Sequence, residues 1–444
     1  MPATVVIGGQ WGDEGKGRVV DFFARNCTMI ARYSAGSNAG HTIVNGLGRF
    51  ALHLVPAGIF YADKTCIMGN GMVIAPQGLI DEISMLESRG VDMSRLKISD
   101  RAQLVMPWHP VIDRLDEAMR GENAIGTTGT GTGPAFIDKA ARLGFRMIDL
   151  VSPDPFESDE FDRKLKWVLD YKNLVITQLY DGEPLAFEAI RDQFHYYSDR
   201  LRQYITDTSI LVQDAHERGE QILLEGAQGA LLDLDSGTYP YVTSSSPASV
   251  AAGACIGVGI GPTAIRRVVG VYKAYQTRVG NGPMPTELFD QDGSALREHG
   301  VDRGAGEYGA TTGRPRRTGW FDGVLARSTA RQNGVTSVAL TRLDVLSQFK
   351  SIKVCVAYEL NGQRIDALPA SLHGMQSVQP IYEELPGWGD EVTEARSMSD
   401  LPQRAREYVR RIEQLIGAPI DMISVGPERE QAIVTRDIFG QALG

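Results

Sequence analysis

Asp13, Lys16 and His41 are the residues near the start of this chain whose types and spacing suit chemistry on a phosphorylated substrate. Asp13 and Lys16 lie in the run Gly8-Gly9-Gln10-Trp11-Gly12-Asp13-Glu14-Gly15-Lys16-Gly17-Arg18, between an expected strand and an expected helix. Glycines in such a turn let backbone N–H groups approach a phosphate, and a lysine meets its charge. A Walker loop has four residues between its first glycine and Gly-Lys, then a Ser or Thr for magnesium. Here five residues separate Gly9 from Gly15, and Gly17 follows Lys16, so that hydroxyl is missing. Asp13 offers the hard oxygen that magnesium prefers. The alternative is a tight turn needing positive φ, with Lys16 merely solvated at a helix start.

Four more stretches can carry chemistry. Ser37-Asn38-Ala39-Gly40-His41-Thr42 follows an expected strand from Met29 to Tyr33. A lone histidine often only satisfies a local hydrogen bond, but one βα unit beyond Asp13 it can reach the same end of a sheet. Gly126-Thr127-Thr128-Gly129-Thr130-Gly131-Thr132-Gly133-Pro134 offers hydroxyls and free N–H groups to phosphate oxygens, or is a flexible loop. Asp138-Lys139-Ala140-Ala141-Arg142 then brings positive charge. Thr311-Thr312-Gly313-Arg314-Pro315-Arg316-Arg317 suits bidentate recognition of carboxylate or phosphate, with a solvated charge run as the alternative. Finally, Asp344 in Thr341-Arg342-Leu343-Asp344 can accept from both the N1–H and the 2-amino group of guanine, a donor pair adenine lacks, or is a surface or capping carboxylate.

The elements that must position these residues alternate in the manner of βαβ units. Short β-branched runs predict strands from Thr4 to Gly9, Lys97 to Ser99, Gln221 to Glu225, Val268 to Tyr275, Val338 to Thr341, Lys353 to Tyr358 and Ile420 to Val425. Apolar spacing of three and four predicts helices over Lys16 to Arg25, Pro76 to Glu87, Pro110 to Met119, Pro184 to Glu217 with a break, and Leu401 to Ile416. The expected fold is α/β: a large, mainly parallel central sheet flanked by helices, P-loop-NTPase-like, with helical and loop excursions. Residues 152–218, charged and almost free of glycine, read as a helical excursion within one domain spanning 1–444, since no linker divides the chain. The 49 glycines gather after expected strands, at the sheet end where α/β proteins bind ligands.

Composition narrows the function. A formal net charge of −10 disfavours a dedicated nucleic-acid binder, which needs a positive field to displace counterions. Cys27, Cys66, Cys255 and Cys355 are too scattered for a metal pair or a disulfide framework, which fits a reducing compartment. No secretory signal is visible and the apolar stretch Ala248 to Gly261 is too short and glycine-rich to cross a bilayer, so a cytoplasmic protein without a membrane span is expected.

Taken in order, the motifs resemble those of the adenylosuccinate synthetase family along essentially the whole chain. They are Gln10-Trp11-Gly12-Asp13-Glu14-Gly15-Lys16-Gly17, Asn38-Ala39-Gly40-His41-Thr42, Glu225-Gly226-Ala227-Gln228-Gly229, 237–245 and 310–317. The resemblance implies a ligase that joins L-aspartate to IMP through a 6-phosphoryl intermediate, consuming GTP and giving adenylosuccinate, GDP and phosphate on the way to AMP. By resemblance Asp13 is the general base and, with the Gly40 carbonyl, a ligand of one Mg²⁺ per subunit. His41 stabilises charge as the 6-oxygen attacks the γ-phosphate, and Lys16 and Gln228 complete the catalytic set. The implied IMP site takes Asp13, Glu14, Gly15 and Lys16 from the first loop and Asn38, Ala39, Gly40 and His41 from the second. Thr128, Gln228, Thr243 and Arg314 join them, with Arg142 crossing from the partner of a homodimer.

Thr311, Thr312, Arg314 and Arg316 would hold the aspartate. Gly12, Gly15, Lys16, Gly17 and Arg316 would serve the GTP phosphates, and Arg342, Leu343 and Asp344 with Ser424, Val425 and Gly426 its guanine. Ser34-Ala35-Gly36-Ser37, Thr130, Arg18 and Arg342 depart from the usual pattern, which has lysine at the last two positions. These departures keep open a paralogue that takes dGMP or another 6-oxopurine nucleotide, with ATP or dATP as donor. A GTP-binding regulator without turnover is a third reading, disfavoured because Asp13 and His41 are both present.

Overall fold

The computed structural model describes residues 3–151, 159–245, 250–301, 306–309 and 313–439. Its centre is a ten-stranded sheet. In chain order the strands are β1 (Ala3–Gly8), β2 (Met29–Arg32), β3 (Thr65–Met68), β4 (Leu96–Ser99), β5 (Ile205–Thr206), β6 (Ile222–Gly229), β7 (Ile265–Lys273), β8 (Ser337–Thr341), β9 (Ile420–Ser424) and β10 (Ala432–Val434). In space they run β10-β9-β8-β7-β1-β6-β2-β3-β4-β5. All neighbours pair in parallel except the edge strand β10, which is antiparallel to β9. The α/β expectation therefore holds.

Helices cover both faces, which explains why β1 and β6 are buried at every position instead of alternating. The side chains of β1 still alternate between two cores. Val6 packs with Val19, Val20 and Phe23 of the helix α1 (Lys16–Ala24), while Val5 and Ile7 face Val212, Ala254 and Val258 across the sheet. A third core joins β8 to the amphipathic helix Gln403–Ile416 through Val338, Leu340, Tyr408 and Ile412. β1 is thus clamped on four sides, and its carboxyl end is a rigid place from which to hang a loop.

Two elements differ from the sequence reading. β6 runs on to Gly229, so the 225–229 motif is strand rather than the loop after one. Its glycines answer close packing: a Cβ at Gly226 would lie 2.7 Å from the Val6 carbonyl oxygen, and one at Gly229 2.2 Å from the Gln10 carbonyl oxygen. The strand over Lys353 to Tyr358 exists as Ser351–Leu360, but it belongs to a separate small sheet with Phe321–Asp322, Gln363–Ile365 and Gln379–Pro386. The break expected in the helix over Pro184 to Glu217 is present, between Phe187–Leu201 and Thr208–Glu217, because the intervening Ile205–Thr206 pairs with β4 at the sheet edge. β3, the helix Thr132–Ala141 and the helix Gly323–Asn333 were not foreseen. No helix among the described residues is long and apolar enough to cross a membrane.

Candidate active site

At the carboxyl ends of the central strands lies a cavity of about 1090 Å³, into which the 9–17 loop, the 38–44 segment, the 126–133 loop and the ends of β6 to β9 converge. The first loop is locked from beneath. Gly12 (φ 88°), Asp13 (59°) and Gly15 (92°) are all left-handed, the conformation that the sequence required of a tight turn. Glu14 is fully buried: Oε1 accepts from the N–H groups of Gln10 (3.0 Å) and Gly12 (2.7 Å), and Oε2 pairs with Lys16 Nζ at 2.7 Å. The Gln10 amide ties the loop to β7 by accepting from Lys273 N–H at 2.9 Å and donating to the Tyr275 carbonyl at 3.2 Å. Glu14 therefore shapes the loop with its side chain and has only backbone to offer a ligand.

His41 begins the strand His41–Asn45 and is 5 % exposed. Its Nδ1 lies 2.5 Å from Glu225 Oε1, on β6, whose other oxygen accepts from Ala57 N–H at 2.8 Å. Burial pushes the imidazole pKa down, against the pull of Glu225, whereas His41 and Arg32 hold the buried Glu225 carboxyl below its usual range despite its desolvation. The short Nδ1–Glu225 contact fixes the orientation of the ring. His41 Nε2 makes no hydrogen bond among the described residues.

Asp13 is exposed and held differently. Arg316 Nε donates to its Oδ2 at 2.8 Å, and Arg316 Nη1 reaches Glu307 Oε2 at 2.7 Å. Glu307 is the hub of a buried cluster. It pairs with Lys273 Nζ at 2.8 Å, accepts from Tyr275 O–H at 2.5 Å and lies 3.7 Å from Arg342 Nε. Burial pushes the Lys273 pKa down to about 8, while Lys273, Arg342 and Arg316 together outweigh burial and hold the Glu307 carboxyl well below its ordinary range. Sequence reasoning missed Glu307 and Lys273, which lie outside any phosphate-loop pattern. It quoted Glu225 only as part of a motif.

Asp13, Lys16, Asn38, Ala39, Gly40, His41, Thr128, Gln228 and Thr243 all line the one cavity, with Arg316, Arg342, Ser424 and Gly426. A hydroxyl ladder links two of them: Thr243 Oγ1 lies 3.1 Å from Ser245 Oγ, which donates to Gln228 Oε1 at 3.3 Å. The 126–133 loop corrects an expectation. Its N–H groups at Gly126, Thr127 and Gly131 are not free for phosphate but bond to the carboxylates of Glu117 and Asp113, at 2.7, 3.2 and 2.9 Å. The reading of three recognition arginines also changes, because Arg317 is committed to Glu287 and to the carbonyls of Gly280 and Gly282. Arg314 is exposed and outside the cavity lining, and Thr311 and Thr312 lie outside the described residues. Arg142, also exposed, caps the helix Thr132–Ala141 with a left-handed backbone (φ 64°) and does not line the cavity of its own chain.

On the β8 and β9 side, Arg342 (φ 65°) donates from Nε to Tyr275 Oη at 3.2 Å. Asp344 is 7 % exposed. Its Oδ1 makes no hydrogen bond among the described residues, and its Oδ2 stands 4.0 Å from His299 Nε2. Leu343 and Val425 are fully buried in the core, so any contact they make with a ligand is through backbone.

A model of the family described as adenylosuccinate synthetase matches residues 5–433. The chain belongs to the adenylosuccinate synthetase family. It is 51% identical over 439 residues to the adenylosuccinate synthetase of Carboxydothermus hydrogenoformans, covering 99% of this chain and 100% of that one. With the Brevibacillus brevis enzyme the identity is 49% over 440 residues, with coverage of 99% and 100%. Among solved structures, the fully ligated adenylosuccinate synthetase of Plasmodium falciparum superposes with a TM-score of 0.89 at 35% identity, covering 98% of this chain and all of that one. A cyanophage S-2L succinoaminodeoxyadenylate synthetase bound to dGMP and dATP is more distant, with a TM-score of 0.59 and 23% identity over 99% and 97% of the two chains, a likeness of fold alone. As a member of the family the chain is a ligase of purine biosynthesis that couples GTP consumption to the joining of aspartate and IMP.

Proposed function

We propose that this reaction runs in the 1090 Å³ cavity with Asp13 and His41 as its chemical pair. The observation that carries the proposal is that these two residues, on separate segments, face one space, and that His41 Nε2 has no hydrogen-bond partner among the described residues while its Nδ1 is fixed by Glu225. Asp13 takes the N1 proton of IMP, the 6-oxygen attacks the γ-phosphorus of GTP, and GDP departs. The aspartate amine then adds at C6 and displaces phosphate. Two easier steps replace one hard one, because the 6-oxo group leaves only once it is phosphorylated. An approaching triphosphate raises the basicity of His41, so that a second proton on Nε2 can donate to the oxygens where charge gathers.

Asp13 and the Gly40 carbonyl both border the cavity and are the hard oxygens that would hold magnesium, with substrate phosphates completing the shell. Bound there, the ion would neutralise charge on the transferring phosphoryl group. Lys16 serves the phosphates beside the uncapped start of α1, where Gly15 leaves the first N–H groups to an anion. Asn38, Thr128, Gln228 and Thr243 surround IMP, Arg316 and the 311–314 segment take the aspartate carboxylates, and Asp344 with the 424–426 turn takes guanine. Arg142 supplies the partner's site in a homodimer. The four cysteines are free and buried, which supports a reducing, cytoplasmic setting.

A product assay tests this. With aspartate and GTP present, IMP and dGMP are offered in parallel to wild type, Asp13→Asn and His41→Asn, and phosphate release is followed. Release with IMP and formation of adenylosuccinate in wild type but not in either folded variant support the proposal; turnover retained in a folded Asp13→Asn or His41→Asn protein would overturn it.

A further inference from the structure

Arg18, in the first turn of α1, directs both Nη groups of its guanidinium to one distant turn, while its buried Nε makes no hydrogen bond among the described residues. Nη1 donates to Ser424 Oγ and to the Gly426 carbonyl, and Nη2 to the carbonyls of Glu428 and Gln431, the last at 3.0 Å. That turn follows β9 and leads into β10, the outermost strand on its side of the sheet. Its own bonds are local: Val425 N–H to the Gln431 carbonyl at 2.9 Å, Gln431 N–H to the Glu428 carbonyl at 3.1 Å, and Glu428 N–H to Gln431 Oε1 at 3.0 Å. A second tie, Asp21 to Arg429, joins the same helix to the far part of the turn. Of these two ties, the one from Arg18 reaches Ser424 and Gly426. Burial pushes its pKa down to about 10, with Asp344 and Asp21 pulling up and Arg342 down, so it remains charged at neutral pH.

We propose that Arg18 is a positioning residue for the donor base: it fastens the 424–431 turn to the helix that begins at the phosphate loop, so that base recognition and phosphate binding move as one piece. The inference rests on the assignment of the donor base to Asp344 and 424–426. A planar fork is what the arrangement needs, since four acceptors spread along one turn can be met by two guanidinium nitrogens but not by the single point of a lysine ammonium. Arg18 touches the turn and not the reacting atoms, so its effect falls on donor affinity and selectivity.

The experiment measures KM for GTP, ATP, IMP and aspartate in wild type, Arg18→Met, Arg18→Lys and Asp344→Asn. Arg18→Met is expected to raise the KM for GTP about tenfold and to lower the preference for GTP over ATP by a similar factor, with the KM values for IMP and aspartate within about twofold, since the charge-assisted hydrogen bonds that are lost fasten only the turn beside the base. Arg18→Lys should fall between Arg18→Met and wild type, and it remains informative if the methionine variant folds poorly. An unchanged GTP KM and preference in Arg18→Met, or an equal rise for IMP, overturns the inference. If Asp344→Asn shifts the donor KM while neither Arg18 variant does, the fastening role fails and the base assignment stands. If Asp344→Asn shifts nothing, the base assignment fails and takes the inference with it.

Discussion

His41 and Asp13 face the same cavity, yet one is held by a core strand and the other by a neighbouring loop. His41 is 5 % exposed and bonds to Glu225, a carboxylate on the fully buried β6. Asp13 is exposed, sits in a left-handed turn and bonds to Arg316, just beyond the 311–314 segment proposed to grip the aspartate. The histidine is therefore preorganised, whereas the aspartate carries a partner that a ligand must share or displace. A group that stabilises developing charge gains from rigidity. A group that must accept a proton and hold an ion needs its lone pairs available when the substrates arrive.

The most severe break is Asp13→Asn. With no carboxylate to take the N1 proton, turnover should fall by about 10²–10⁴-fold, as for loss of a positioned base. Melting temperature should stay near wild type, because the side chain is exposed and Glu14, not Asp13, holds the loop. Retention of more than a small fraction of activity in a folded variant would remove Asp13 from the mechanism.

Glu307→Gln attacks the support behind Asp13. It leaves the buried Lys273 ammonium without its counter-charge, a loss on the order of 3–5 kcal/mol at neutral pH. The sign with pH follows from the depressed carboxyl pKa of the folded state. The stability from Glu307 is fully present above its ordinary value of 4.5 and is lost as pH falls through the lower folded value, so the gap between variant and wild type should narrow in acid. Denaturant melts at neutral pH and below 4.5 check this; a gap independent of pH would show that the ion pair does not carry the effect.

Glu225→Gln tests the preorganised side. His41 would keep a neighbour but lose the carboxylate that fixes its ring and opposes the burial effect on its pKa. We expect kcat to fall about ten- to a hundredfold, the scale of losing an orienting partner, with the KM for GTP little changed. The pH–rate profile should move its His41 limb to lower pH, and an unmoved limb would break the comparison.

Arg142→Leu should have the smallest effect, raising the KM for the purine nucleotide with GTP affinity nearly unchanged. Mixed with Asp13→Asn protein, it should regain activity, since one site of a heterodimer then has both residues intact. No recovery despite demonstrated subunit exchange would confine each site to one chain.

Much of the site was legible because phosphate chemistry imposes local signals. Gly12 and Gly15 suit the positive φ they adopt, and the loop had to sit between β1 and α1 for its N–H groups to aim outward. The family motifs then extended the reading to Asn38, His41, Gln228 and Thr243, which the fold gathers around one cavity. The Glu307 hub left no such trace, since a buried ion-pair cluster is assembled from residues as far apart as Lys273 and Arg342 and any one of them alone reads as a surface charge. The N–H groups of the 126–131 segment were misread for the same reason: only packing of the Trp108–Arg120 helix against the loop brings Asp113 and Glu117 to them.

By itself the sequence determined the α/β class, the phosphate-loop turn and the candidates for the chemistry, because these depend on periodicity, glycine conformation and side-chain type over a few positions. Only the tertiary structure decided what holds them. Glu225 behind His41, Arg316 across Asp13 and Arg18 on the 424–431 turn are contacts between residues 184, 303 and more than 400 positions apart, brought together only by the path of the chain through the sheet, which no local pattern records.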